Sequence, residues 1–199
     1  CRVENPGTIK NRKGCNVPGV CLSMPFISKK DEDDIRFACR HNLDFIAASF
    51  TRRKQDILDI RRILQEEGND HIQVIAKIEN QEGYDNLDEI LNVSDGIMVA
   101  RGDLGTEIES ERLPIVQKSI IKTCRKMGKL CIVATEMLET MMENNRPKRA
   151  ETADIANAVF DGTDAVMLSG ETTIGKHPIE TVAAMARTCE ASEKYADFT

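Results

Sequence analysis

At 199 residues, 41% hydrophobic and 30% charged, the chain is long enough for one domain with a substantial core and too apolar for disorder. Its 27 basic and 33 acidic side chains give a net charge of -6, which excludes a broad electrostatic footprint for nucleic acid, so any anionic ligand must be held locally. No apolar run approaches the roughly 20 residues that cross a bilayer, and Cys1-Arg2-Val3-Glu4-Asn5-Pro6 is not a signal-peptide pattern; a soluble, cytoplasmic chain with no membrane partner is expected.

Residues 1–26 hold three of the six prolines, three glycines and two cationic clusters without helical period, and read as a linker. From Ser28 the pattern alternates. Ser28 and Asp31 have the spacing of a capping box for a helix through Ile35, Phe37 and Ala38, followed by a strand at 44–48 that ends at Ser49-Phe50. A helix over 54–67 carries Ile57, Leu58, Ile60, Ile63 and Leu64 at helical spacing and stops at Gly68. The strand Val74-Ile75-Ala76-Lys77-Ile78, a short helix near 87–91 and the strand Ile97-Met98-Val99-Ala100 come next. The amphipathic stretch 114–127 stops at Gly128. Strand 130–134 then leads at Thr135 into a predicted helix over 136–142. A helix over 150–160, a strand over 165–168 and a helix over 178–195 complete the series. The seven cysteines, odd in number and without a CxxC pair, read as reduced, mostly buried thiols.

Strands alternating with helices predict a parallel α/β sheet, either doubly wound or a (β/α) barrel. Polar residues follow every strand: Ser49, Lys77 with Glu79, Arg101 with Asp103, Thr135, and Ser169 with Glu171. Contributions from every strand end favour a TIM-type (β/α)8 barrel, here incomplete, with about five of eight βα units.

Glu79 and Asp103 are hard oxygen donors at the ends of adjacent strands, suited to Mg²⁺ or Mn²⁺; the competing reading pairs each carboxylate with a nearby Lys or Arg. Lys77 lies two residues before Glu79 and points to the same side of the sheet, where it could neutralise a phosphoryl group or an enolate, or simply bridge to Glu79. Ala100-Arg101-Gly102-Asp103 suggests close backbone approach to a ligand, and a helical turn starting there would offer N–H groups to a carboxylate; a plain turn is the alternative. Thr135 reads most simply as a helix N-cap. Ser169-Gly170-Glu171-Thr172 and Arg12-Lys13 are candidate phosphate contacts, against plain turn and solvated loop. The Met137, Met141, Met142 group reads as core packing.

In order along the chain, Ile75-Ala76-Lys77-Ile78-Glu79-Asn80, Met98-Val99-Ala100-Arg101-Gly102-Asp103-Leu104-Gly105, Val133-Ala134-Thr135 with Met137-Leu138-Glu139, Arg149-Ala150-Glu151 and Met167-Leu168-Ser169-Gly170-Glu171-Thr172 resemble pyruvate kinase, as do Arg12-Lys13-Gly14 and Asn16-Val17-Pro18-Gly19. The resemblance implies a (β/α)8 barrel in which Glu79 and Asp103 hold Mg²⁺ and the backbone at Ala100, Arg101 and Gly102 receives the pyruvate carboxylate. It also implies that Lys77 stabilises the phosphoryl group, that Thr135 lies near the proton delivered to the enolate, and that Ser49, Phe50, Ser169 and Glu171 line the mouth. Lys13 falls near the nucleotide phosphates. Phosphoenolpyruvate or pyruvate, ADP or ATP, K⁺ and a homo-oligomeric, tetrameric assembly are implied with it.

By the same resemblance, residues 1–20 are expected to be a lid-domain remnant and re-entry linker, and 21–199 the later part of the barrel, a fragment lacking its first strands. Glu136 stands where the family usually has glutamine, and Lys148 where it has threonine. A Mg²⁺-dependent lyase acting on pyruvate or oxaloacetate, and a catalytically silent fragment, are the alternatives.

Overall fold

The structure, a computed structural model, describes residues 2–8, 11, 14–15, 17–20 and 23–196. Regular elements begin at α1 (Lys29–Arg40), where the Ser28 hydroxyl accepts from the Asp31 N–H at 3.2 Å and the Asp31 carboxylate accepts from the Ser28 N–H at 2.8 Å. This reciprocal pair satisfies two donors that the first helical turn would otherwise orphan. The chain continues through β1 (Phe45–Ala48), α2 (Lys54–Glu66), β2 (Gln73–Ile78), α3 (Gln81–Asp85), α4 (Leu87–Val93), β3 (Gly96–Ala100), α5 (Arg101–Glu107), α6 (Leu113–Met127) and β4 (Leu130–Ala134). It ends with α7 (Arg149–Asp161), β5 (Ala165–Met167), α8 (Gly170–Thr173) and α9 (Pro178–Glu193). Gly128 closes α6 at a φ of +62°, where a side chain would be strained.

The strands form one parallel sheet in sequence order, β1-β2-β3-β4-β5. Ala48 is in register with Ala76, Ile78 with Val99, Ala100 with Ala134, and Ala134 with Met167. All carboxyl ends therefore lie along one edge. Five consecutive βα units in this order are the larger part of an incomplete (β/α)8 barrel, which is the architecture expected from the alternation.

Strand alternation divides the apolar residues between two faces. Val74, Ala76, Ile78, Ile97, Val99, Cys131 and Val133 pack with helical residues such as Ile57, Ile63, Ile90 and Ile120 into the main core. Fully burying each such aliphatic side chain contributes about 1.5–3 kcal/mol, so the helix-covered face dominates stability. Ile75, Met98 and Ala134 form a separate small cluster on the opposite face, flanked by Leu130, Ile132 and Met167. Lys77 and Glu79 follow Ile75 at two-residue steps, so they continue that second face to the end of β2 and one residue past it.

One element departs from expectation. No α-helix runs over 136–142; Thr135 and Glu136 take left-handed backbone, with φ of +70° and +53°, and only a 3-10 turn forms at Glu139–Met142. Thr135 is therefore not the N-cap of a following helix. Two of the three methionines nearby do pack in the core: Met137 and Met141 are buried. So are the thiols of Cys39, Cys124 and Cys131.

Candidate functional site

At the end of β2 the Lys77 ammonium lies 2.9 Å from the Glu79 carboxylate and 3.0 Å from the Ser49 hydroxyl, which follows β1. Glu79 is 1% exposed. Its other carboxylate oxygen accepts from the Phe50 N–H at 2.5 Å, and Phe50 presents that group by adopting left-handed backbone at a φ of +52°. The charge on Glu79 is thus compensated by one cation and one backbone donor. The Lys77–Glu79 bridge read as one alternative in the sequence is present.

The end of β3 turns directly into α5, so Arg101 and Gly102 open a helix as the Ala-Arg-Gly-Asp string suggested. Gly102 donates its N–H to Thr135 Oγ1 at 2.7 Å, while the Thr135 hydroxyl lies 2.6 Å from the Ala134 carbonyl and donates to it. A methyl group built on Gly102 would stand 3.5 Å from Thr135 Oγ1, an ordinary contact, so packing within the described residues does not require glycine here. Asp103 sits in the first turn of α5, half-buried, and its carboxylate has no hydrogen bond or ion pair among the described residues.

Arg101 contributes more than backbone. Its guanidinium is buried and fans out to the Thr135 carbonyl (3.0 and 2.7 Å), the Glu136 carbonyl (2.9 Å) and the Asp154 carboxylate on α7 (2.5 Å). The two successive left-handed residues cost about 1–3 kcal/mol each, and this fan holds both carbonyls where they need to be.

The rest of that loop is held by carboxylates. Glu171, buried at the start of α8, accepts from the Leu138 N–H at 3.1 Å and the Ser169 N–H at 2.8 Å. Glu151 on α7 accepts from the Thr140 N–H (2.7 Å), the Thr140 hydroxyl (2.5 Å) and the Lys148 N–H (2.8 Å). Burial pushes the Glu151 carboxyl up, but these donors outweigh it and hold the group below its ordinary value. Ser169 and Glu171 therefore lie at the same sheet edge as the other candidates, with Glu171 turned onto backbone.

Sequence reasoning missed Asp154 and Glu151. Asp154 gives no local signal, since its partner is 53 positions away. Glu151 did carry one: it stands four residues before Ile155 on the stripe that continues through Ala158 and Val159, a carboxylate in line with a buried apolar face.

A family model described as "Pyruvate kinase, barrel domain" matches residues 1–182. The chain belongs to the pyruvate kinase family. It is 56% identical over 193 residues to a pyruvate kinase of Bacillus licheniformis, covering 97% of this chain and 33% of that protein. It is 52% identical over 198 residues to a pyruvate kinase of Clostridium acetobutylicum (100% and 42%), and 55% identical over 198 residues to one of Staphylococcus epidermidis (100% and 34%). The chain thus spans about a third to two-fifths of the length of these curated relatives. Their names favour the kinase over the lyase alternative.

Pyruvate kinase resemblance also assigns a divalent ion, and the residues present fit one. Among the described residues no three metal-ligating side chains cluster. Two carboxylates on neighbouring strand ends, one of them unpaired, nevertheless suit a hard cation such as Mg²⁺ that keeps several waters and takes further oxygens from substrate. Lys13, assigned to the nucleotide in a pyruvate kinase, lies outside the described residues. No helix among the described residues is long and apolar enough to cross a membrane.

Proposed function

We propose that the full-length protein containing this chain transfers the phosphoryl group of phosphoenolpyruvate to ADP, giving pyruvate and ATP, as a glycolytic enzyme of the cytoplasm. The observation that carries this reading is the Lys77–Glu79 pair at the tip of β2, next in the sheet to the β3 end that leads into Asp103, a carboxylate without a partner among the described residues.

In this reaction the bond between phosphorus and the enol oxygen breaks, a bond from phosphorus to an ADP oxygen forms, and the enolate carbon takes one proton. Lys77 places positive charge where the migrating phosphoryl group and the developing enolate are both negative. Glu79 and Asp103 are the ligands for Mg²⁺ or Mn²⁺, which supplies Lewis-acid neutralisation of substrate oxygens when bound. The Ala100–Gly102 backbone receives the substrate carboxylate, in the space that glycine leaves open beside Thr135, with the Gly102 N–H, held by Thr135 Oγ1 in this structure, shared between the two acceptors. Thr135, whose hydroxyl donates to the Ala134 carbonyl in this structure, relays a solvent proton to the enolate carbon, taking a proton back from water as it gives up its own.

Ser49 and Phe50 orient Lys77 and Glu79, while Ser169 and Glu171 shape the opposite side of the mouth. Lys13 contacts nucleotide phosphates. A K⁺ requirement and a tetrameric homo-oligomer belong to the same reading, as does the assignment of residues 1–20 to a lid remnant.

The test is a coupled assay for pyruvate formation from phosphoenolpyruvate and ADP, run on a chain of full family length carrying this segment. ATP formation that depends on Mg²⁺ is expected. Cleavage of oxaloacetate without phosphoryl transfer would overturn the assignment.

A further inference from the structure

We propose that Arg101 is a positioning residue for Thr135, with Asp154 of α7 as its anchor. Arg101 opens α5, yet its side chain leaves that helix and crosses to the loop after β4, where it binds the carbonyls of Thr135 and Glu136. Those two residues are the only consecutive non-glycine pair with left-handed backbone among the described residues. With neither Gly nor Asn there, the conformation is imposed from outside the loop, and the guanidinium is the group that reaches both peptide oxygens.

A planar fork is required for this task. Nε and Nη2 share the Thr135 carbonyl, Nη2 also reaches the Glu136 carbonyl, and Nη1 turns away to Asp154. Asp154 supplies the counter-charge for a cation that is 6% exposed, and fixes the third corner of the fork on a surface helix. The result for the site is specific. With its backbone so held, Thr135 presents Oγ1 to the Gly102 N–H at 2.7 Å, which joins the end of β4 to the first turn of α5. A lysine could keep the charge but not bind two carbonyls and a carboxylate together.

The inference rests on the proposed role of Thr135 in proton delivery, and its test separates the two. In a chain of full family length, Arg101→Lys and the milder Asp154→Asn are compared in two backgrounds, parent and Thr135→Ala. Expected is a fall in kcat of about tenfold or more for Arg101→Lys in the parent, with the KM for phosphoenolpyruvate and the affinity for Mg²⁺ within about twofold. That fall should vanish in the Thr135→Ala background, as for two residues acting on one step. An equal fall in both backgrounds, or none in the parent, overturns the proposal.

Amide hydrogen exchange reads the same link without turnover. Protection of the Gly102 N–H is expected to drop about tenfold in Arg101→Lys and in Asp154→Asn while that of Val99 in β3 is kept. Unchanged Gly102 protection overturns the proposal even in an active enzyme. An inactive parent with lost Gly102 protection would instead count against the assigned reaction alone.

Discussion

The Lys77 ammonium and the Glu79 carboxylate stand 2.9 Å apart at the tip of β2, with Glu79 almost wholly withdrawn from solvent. A charge so buried depends on its partner. Replacing Lys77 with Met leaves Glu79 with the Phe50 N–H alone and is expected to cost about 3 kcal/mol of stability. In the full-length enzyme kcat should fall about 100- to 1,000-fold, the usual consequence of removing one group that stabilises developing charge. Adding Glu79→Gln to Lys77→Met should restore much of the melting temperature without restoring kcat. Recovery of activity in that double variant would show that the cation serves structure only.

Asp103 differs from Glu79 in having no protein partner among the described residues. Its replacement by Asn should therefore leave the unfolding free energy within about 0.5 kcal/mol of the parent's, as for a substitution that breaks no contact. The same change removes a hard anionic ligand and should weaken Mg²⁺ binding by about tenfold or more, measured by titration calorimetry on the full-length chain. Equal Mg²⁺ affinity in parent and Asp103→Asn would remove this residue from the metal site.

Gly102 offers a steric test of where the substrate carboxylate goes. Because an added methyl group meets Thr135 Oγ1 only at 3.5 Å, Gly102→Ala should fold normally. It places that methyl in the space assigned to ligand, and a displacement of about 1 Å there is expected to lower kcat/KM about 100-fold. Unchanged kinetics in a folded Gly102→Ala variant would move the carboxylate elsewhere.

The regular elements were legible because their signals are local. Glycines at 68 and 128, the Ser28–Asp31 spacing and the apolar periods of α2 and α6 each act within a few residues, and each stands where expected, except that Leu58 and Ile115 at the margins of those stripes are exposed. The strand-end candidates were legible for a related reason: charge that interrupts a buried apolar run can only emerge at its tip. The stretch after β4 failed that logic. Thr-Glu-Met-Leu-Glu-Thr-Met-Met suits a helix by composition, and the forces that prevent one come from Arg101, Glu151 and Glu171, which are remote in sequence. Propensity lost there to long-range hydrogen bonds.

Those hydrogen bonds give a pH dependence whose sign follows from Glu151. Its folded carboxyl titrates below the ordinary value of 4.5, so the folded state holds fewer protons than the unfolded state across that interval. The associated stability is fully present above pH 4.5 and is lost as pH falls through the lowered folded value. Asp31, held below its ordinary 3.8 by the Ser28 hydroxyl, acts in the same direction in a still more acidic window. Thermal unfolding followed from pH 7 to pH 3 should show a decline below pH 4.5, and Glu151→Gln should lower the neutral-pH melting temperature while flattening that decline. A decline of the same slope in Glu151→Gln would assign it to other carboxylates.

The sheet's two edges make the last prediction. Among the described residues β1 pairs only with β2, and β5 only with β4, so each has a row of backbone donors and acceptors without a strand partner. Phe45 on β1 is 53% exposed, and the Ile75–Met98–Ala134 cluster on the face opposite the helices has few apolar neighbours. Parallel strands are normally covered on both faces, and exposed edges recruit further strands. The isolated 199-residue chain is therefore expected to self-associate at micromolar concentration, as seen by light scattering. Phe45→Lys, which puts charge at the open edge, should shift it toward monomer without changing the helical circular-dichroism signal. A monodisperse monomer of the unmodified chain would mean that its edges are covered in a way this sheet order does not provide.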